Sequence, residues 1–168
     1  MEPLNLNGLP EGPLLLVDSA PIIYLLEAHP TFMPRFQPLF DAHAAGTLRF
    51  AVTTLTIAEV LTGPLTQGDE ALARRYRSIL ESWEPIAPDS GIAESAARLR
   101  ASLNLKLADA VQASTALAIN GAALVTHDRD FSRIRSLRVI SRAAQPPASP
   151  PRSYPTDPSG FASQTSIQ

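Results

Sequence analysis

Short aliphatic runs alternate along this chain with longer stretches whose apolar residues recur at helical spacing. Residues 14–17 (LLLV) form an unbroken apolar run, too short for a helix and bounded by Pro13 and Asp18, which predicts a buried strand. Ser19 then offers a helix N-cap, with Pro21 in the first turn and Ile22, Ile23, Leu25 and Leu26 behind it. A second helix is predicted over residues 34–45 and ends at Gly46; a strand follows over 48–52. Thr53 or Thr54 caps a helix that runs through Leu61 and closes at Gly63-Pro64. Residues 69–83 place Leu72, Tyr76, Ile79, Leu80 and Trp83 on one helical face. The pattern then predicts a short strand over 84–87, helices over 90–102 and 106–119, and a strand over 122–126. Asn120-Gly121 ends the second of these helices; a helical turn over 129–134 leads to a last strand over 138–140.

Strands separated by helices imply an α/β fold in three layers, α/β/α, around a central parallel sheet. In open sheets of this kind ligands bind beyond the carboxyl ends of the strands. The folded unit is expected over residues 14–141. Residues 1–13, with Gly8, Pro10, Gly12 and Pro13, read as an irregular leader. Residues 142–168 read as a disordered Pro/Ser-rich tail, because six of the chain's 16 prolines fall there among Ser and Thr with hardly any aliphatics.

Composition narrows the chemistry. The 168 residues carry 14 Lys and Arg against 16 Asp and Glu, a net charge of −2, so any hold on nucleic acid must come from a local basic face. The absence of cysteine excludes disulfides, zinc–thiolate sites, iron–sulfur clusters and cysteine nucleophiles. The three histidines, His29, His43 and His127, are too scattered for a zinc motif. No apolar run approaches the ~20 residues of a membrane span, and the first residues lack the charge and apolar core of a secretory signal. A cytoplasmic protein with no membrane contact is therefore expected.

The acids are the informative residues. Asp18 directly follows the first strand and Asp128 lies two residues after the strand ALVT, so a parallel sheet would project both from one edge. Each alone has a plain alternative as a helix cap. Glu59 sits in TLTIAEVL and Asp109 in LADAVQA, helices otherwise free of acids and apolar enough to be packed on most sides. An unpaired carboxylate there is costly and needs a basic partner, a proton or a metal; a salt bridge to Lys106 or a solvent-facing stripe would also serve. Taken together, four acids meeting at one edge without soft ligands would select a hard cation, Mg2+ or Mn2+. Asp130 is a fifth acid, which supports the first turn of a short helix or joins the metal.

The segments VDSAPIIYLL (17–26), TTLTIAEVLTG (53–63) and LKLADAVQASTALAINGAALVTHDRDF (105–131), with the strand at 138–140, resemble the PIN domain, a family of metal-dependent ribonucleases. The resemblance covers about residues 14–141 and is strongest to VapC-like toxins of prokaryotic toxin–antitoxin pairs. It implies metal-binding and catalytic acids at Asp18, Glu59, Asp109 and Asp128, an additional metal-site acid at Asp130, and a hydroxyl lining the site at Thr126. It implies an endoribonuclease that hydrolyses RNA phosphodiesters with Mg2+ or Mn2+, a homodimer, and a cognate antitoxin that blocks the site. Two positions depart from the family pattern: Asp18-Ser19-Ala20 stands where Asp-Thr-Asn is common, and His127 where Asn is common. Ala20 removes a side chain that could orient water.

Among the basic residues, Arg129, Arg133, Arg135 and Arg138 are better placed for phosphate than Arg74, Arg75 and Arg77, which suit a solvated helix face. Arg98, Arg100 and Lys106 are candidates to neutralise the acids. Three alternatives to a toxin stay open on sequence: an RNA-processing nuclease with no antitoxin, a nuclease-dead binding module, and a phosphoryl-transfer domain of another α/β family. The last lacks its Asp-x-Asp nucleophile pattern, since Ala20 stands two residues after Asp18.

Overall fold

A computed structural model describes residues 4–141. The tail expected over residues 142–168 lies outside them. Five parallel strands form one sheet in the order β3-β2-β1-β4-β5: β1 (Leu14–Val17), β2 (Arg49–Thr53), β3 (Glu84–Ile86), β4 (Ala123–Val125) and β5 (Val139–Ile140). Six α-helices connect them: α1 (Ser19–Leu26), α2 (Met33–Ala44), α3 (Thr54–Thr66), α4 (Glu70–Glu81), α5 (Ser90–Leu103) and α6 (Leu107–Ala118). The predicted three-layer arrangement is present. Strand side chains alternate between two cores, as the period of two requires. Leu15, Val17, Phe50, Val52, Ala123, Val125 and Ile140 pack with Ile22 of α1, Phe36 and Leu39 of α2, Val60 of α3 and Leu80 of α4. Leu16, Ala51, Leu124 and Val139 face the other way, onto Ala96 of α5 and Ala110, Ala113 and Ala116 of α6. Alanine every third residue lets α6 lie close on the sheet. Fully burying a side chain such as Phe36 or Leu124 contributes about 1.5–3 kcal/mol. No described helix is long and apolar enough to cross a membrane.

The chain builds the sheet from β1 outward through β2 to β3, then returns across β1 to β4. The strand order therefore reverses between β1 and β4, where Leu15, Leu16 and Val17 pair with Ala123, Leu124 and Val125. Such a reversal opens a crevice at the carboxyl ends of the two strands. The α6–β4 turn is tight. Asn120 is left-handed (φ 50°), and the Gly121 N–H donates to Ala116 O at 2.9 Å. A Cβ on Gly121 would meet that same oxygen at 3.2 Å, a tight approach that glycine avoids.

Three details differ from the sequence-based expectation. Helix α3 does not stop at Gly63-Pro64 but continues to Thr66, with Pro64 buried inside it. The Pro64 ring forfeits one helical bond, while the Thr62 and Thr66 hydroxyls donate to Ala58 O and Thr62 O and the turn closes through Asp69 N–H on Pro64 O. The N-cap of α1 is Asp18, not Ser19: Asp18 is extended, and its side chain accepts from the Ser19 N–H. Residues 4–13 carry no helix or strand, yet they are packed. Leu4 is buried in the first core, Leu6 and Leu9 lean on it, and Arg138 donates to the carbonyls of Asn7 and Gly8 at 2.6 and 2.5 Å.

Candidate active site

The β1–β4 crevice is where the acids gather. Strand pairing ends at Val17 and Val125, and the next residue of each strand, Asp18 and Thr126, begins the site. The Asp18 N–H still donates to Val125 O at 2.9 Å, and the Thr126 N–H to Ile140 O at 3.1 Å, so the backbone on both sides is held by ladder bonds. A chain of polar contacts runs from there. The fully buried Thr126 hydroxyl donates to Asp18 Oδ2 at 2.8 Å and accepts from the Asp128 N–H at 3.0 Å. Asp128 Oδ1 accepts from the Asp130 N–H at 2.8 Å, and Asp130 pairs with Arg133 Nη2 at 2.9 Å. The hydroxyl of Thr126 thereby fixes Asp18 and orients the turn that presents Asp128.

Asp109 enters from the first turn of α6, whose helix dipole favours an anion there. Its Oδ2 is buried and makes no hydrogen bond. Burial raises the Asp109 carboxyl above the usual range; the charges of Asp128, Asp18 and Asp130 raise it further, and only Lys106 opposes them. Asp18 is also raised, chiefly by burial and additionally by Asp128, against the hydrogen bonds from Thr126 and Ser19. Asp18, Asp109, Asp128 and Asp130 thus sit in one electrostatic neighbourhood, and their charges make Asp18 and Asp109 harder to ionise.

Glu59 is less firmly placed. It is half-buried on α3, one turn beyond Thr56, and is absent from the charges that perturb Asp18 and Asp109. A buried bridge links its helix to that of Asp109. Gln112 of α6, one turn beyond Asp109, donates to Thr56 Oγ1 at 2.5 Å, and Thr56 in turn bonds Thr53 Oγ1 at 3.1 Å. No local pattern marks this bridge, since a glutamine on a helix carries no sign of its partner on another helix.

The basic residues are largely engaged elsewhere. Arg98 pairs with Glu94, Arg100 donates to Leu105 O, and Arg138 clamps residues 7 and 8, so none of them neutralises the acids. Lys106 acts only through its field and forms no ion pair with Asp109. Arg129 and Arg135 are exposed beside the acidic turn. Arg133 and Arg135 border an open groove of about 780 Å³ between the end of α5 and residues 132–136. His127 is also engaged: the Tyr24 hydroxyl is 2.8 Å from its Nδ1.

Residues 15–137 match the PIN domain family. This chain belongs to that family. Solved structures agree in fold. A toxin–antitoxin complex from Klebsiella pneumoniae is similar at 26% identity and TM-score 0.60, covering 75% of this chain and 95% of that one. VapBC2 of Rickettsia felis, bound to a promoter DNA fragment, is similar at 21% identity and TM-score 0.63, covering 76% and 98%. VapC20 of Mycobacterium tuberculosis, described as a toxin that cleaves the sarcin–ricin loop, is similar at 15% identity and TM-score 0.60, covering 71% and 93%. No curated protein sequence matches the chain.

Whether this PIN site suits a divalent cation can be judged from its own atoms. The donors are all carboxylate and hydroxyl oxygens, Asp109 Oδ2 lacks a partner, and the repulsion at Asp109 is opposed only by the field of Lys106. Among the described residues no three His, Asp or Glu side chains converge closely enough to chelate an ion by themselves. That combination fits Mg2+, which is commonly held by one or two carboxylates and completes its shell with water and substrate phosphate.

Proposed function

We propose that the chain is a Mg2+- or Mn2+-dependent endoribonuclease, the toxin of a type II toxin–antitoxin pair acting in the cytoplasm. The observation that carries this is the orphaned carboxylate oxygen of Asp109, set among Asp18, Asp128 and Asp130 at the strand-order reversal of a PIN fold. One or two of Asp18, Asp109 and Asp128 would hold the cation directly and the rest of that set through its water shell, with Asp130 and Glu59 completing the acidic rim. A bound divalent cation supplies charge neutralisation at the phosphate and a more acidic water.

The chain's own residues do the rest. Thr126 favours the ionised form of Asp18 against its burial, and aims it, by donating to Oδ2. A carboxylate of the set accepts the proton of the attacking water. The water oxygen bonds to phosphorus, the bond from phosphorus to the 3′ oxygen breaks, and the proton passes to that leaving oxygen, giving a 5′-phosphate and a 3′-hydroxyl. Arg129 and Arg135 are the exposed cations next to this turn, and the groove beside Arg133 offers the RNA backbone a path away from the acids. The toxin assignment is supported by the family and by structural similarity to toxin–antitoxin proteins from Klebsiella, Rickettsia and Mycobacterium.

The test is to incubate the purified chain with RNA and Mn2+ or Mg2+, map the ends produced, and repeat with Asp18→Asn and Asp109→Asn. Cleavage that leaves 5′-phosphates, needs the metal and is lost in both variants is expected; full activity in both variants refutes the assignment. Co-expression with an adjacent small open reading frame tests the partner. Relief of growth arrest by that product is expected, and cleavage without arrest or antitoxin would make the chain a processing nuclease.

A further inference from the structure

At the rim of the acidic crevice lies a cluster of half-buried rings that the chemistry above does not use. Phe32 is its hub, with ring centroids 4.8 Å from Tyr24, 4.8 Å from His29 and 4.7 Å from His127. Tyr24, His29, Phe32 and His127 are each only partly covered, unlike the fully buried Phe36 beneath them. Two of the four rings are imidazoles, whose polar nitrogens suit a wet surface better than a core.

Local hydrogen bonds hold the cluster in place. The His29 N–H donates to Tyr24 O at 2.9 Å, and the Met33 N–H to His29 O at 3.0 Å. His29 Nδ1 accepts from the N–H groups of Thr31 and Phe32, both at 3.3 Å. Ala28 holds a left-handed φ of 48° to make this turn, a conformation that costs a non-glycine residue about 1 kcal/mol or more. The cluster is also continuous with the acids: His127 lies between Thr126 and Asp128 in the chain, and the Tyr24 hydroxyl, bonded to His127, lies within the field of Asp18.

We propose that Phe32, flanked by His29 and His127, is a stacking platform for the unpaired nucleobase adjacent to the scissile phosphate. The proposal rests on the nuclease assignment and deepens it by naming the side chain that would seat an unpaired base beside the acids. Aromatic side chains bind any base by its face and need no positive charge, which fits a chain of net charge −2.

The test uses the full chain carrying Asp128→Asn to prevent cleavage, with a single-stranded RNA oligomer containing 2-aminopurine and a matched abasic ribose–phosphate oligomer. Binding of the RNA with quenched 2-aminopurine emission is expected. Adding Phe32→Leu should weaken RNA binding about tenfold and remove the quenching; Phe32→Trp should restore both, while the abasic oligomer binds all three proteins alike. The platform is overturned if Phe32→Leu keeps affinity and quenching, if Phe32→Trp does not rescue, or if the abasic oligomer loses affinity in parallel. It is equally overturned if Phe32→Leu spares RNA and instead weakens capture of the co-expressed antitoxin, which would assign the rings to a protein partner. Should the Asp128→Asn chain bind no RNA at all, the nuclease assignment itself falls and takes the platform with it.

Discussion

Replacing Asp109 by Asn should make the metal-free protein more stable while removing its activity. Asp109 combines a buried, unbonded Oδ2 with three neighbouring carboxylates and a single opposing lysine. Two unit charges about 8 Å apart at an effective dielectric of about 40 repel by about 1 kcal/mol. Asp109 is partly exposed, so solvent screening reduces the sum of such terms, and Lys106 offsets part of what remains. A net gain of about 1 kcal/mol near neutral pH is therefore expected for the near-isosteric amide. With a urea slope of about 2 kcal/mol per molar, the unfolding midpoint should rise by about 0.5 M.

The pH dependence gives this prediction its sign. The folded-state pKa of Asp109 is raised, so its favourable contribution is complete below the unfolded pKa and is lost as pH rises through the folded one. At about pH 7.5 in EDTA the wild type carries the whole penalty and the variant none; at about pH 3 both carry a neutral group and the difference closes. Mn2+ should reverse the order, because ligand binding to the folded state stabilises in proportion to ln(1 + [L]/Kd), and the variant binds the ion less well. Urea melts at two pH values, with and without Mn2+, check all four quantities. A variant that is equally or less stable at about pH 7.5 in EDTA, or whose gain persists unchanged at about pH 3, would refute the electrostatic account.

Four other outcomes follow from named contacts. Thr126→Val deletes the donor to Asp18 Oδ2 and the acceptor for the Asp128 N–H, and should cost about 2–4 kcal/mol and weaken Mn2+ binding in calorimetry, whereas Thr126→Ser should stay within about 1 kcal/mol. Because Asp18 and Asp109 are both raised, Mn2+ affinity should fall with decreasing pH from a higher starting point than ordinary carboxylates would give; calorimetry across the acid range reads this directly. Leu4→Ala should destabilise by about 2–4 kcal/mol in urea, as a core position and not as part of a loose leader. Truncation after Arg142 should leave the urea transition of the remainder cooperative and its midpoint unchanged, as the proposed domain boundary requires.

How much of this was legible depended on whether a residue's role was set locally. The sheet was, because LLLV, FAVT and ALV must bury both faces between helices, and runs of that length and type have few other uses. Asp18 and Asp128 were legible as edge acids for the same reason: a strand end fixes where the next side chain goes. Roles set by contacts across sequence were not. Gly63-Pro64 has the composition of a helix stop, but burial of Pro64 and hydroxyl back-bonding within α3 override it. Leu4, in a segment rich in turn residues, owes its burial to the core, and its N–H is held by Arg35 O. Arg138 carried the right charge for phosphate, yet two carbonyls of residues 7 and 8 occupy it. The Tyr24–His127 pair joins residues 103 positions apart, and no local pattern announces it.

The same geometry explains why the acids collect where they do. At a strand-order reversal the chains leaving β1 and β4 turn to opposite sides, so the two strand ends stand adjacent with nothing between them but the side chains that follow. One of those, Thr126, is fully buried and serves both neighbours, so Asp18 and the Asp128 turn cannot move independently. Helix α6 then presents Asp109 from its amino end, where the dipole favours the carboxylate that burial opposes. Each device fixes a negative group in a place that raises the energy of the metal-free fold. A fold that was selected only to be stable would place an arginine there. Of the arginines near these acids in sequence, Arg98, Arg100 and Arg138 bind other partners, Arg133 pairs with Asp130 at the edge of the set, and Arg129 and Arg135 stay exposed. The repulsion around Asp109 is opposed within the chain by Lys106 alone, and that residual repulsion is what supports the proposed cation.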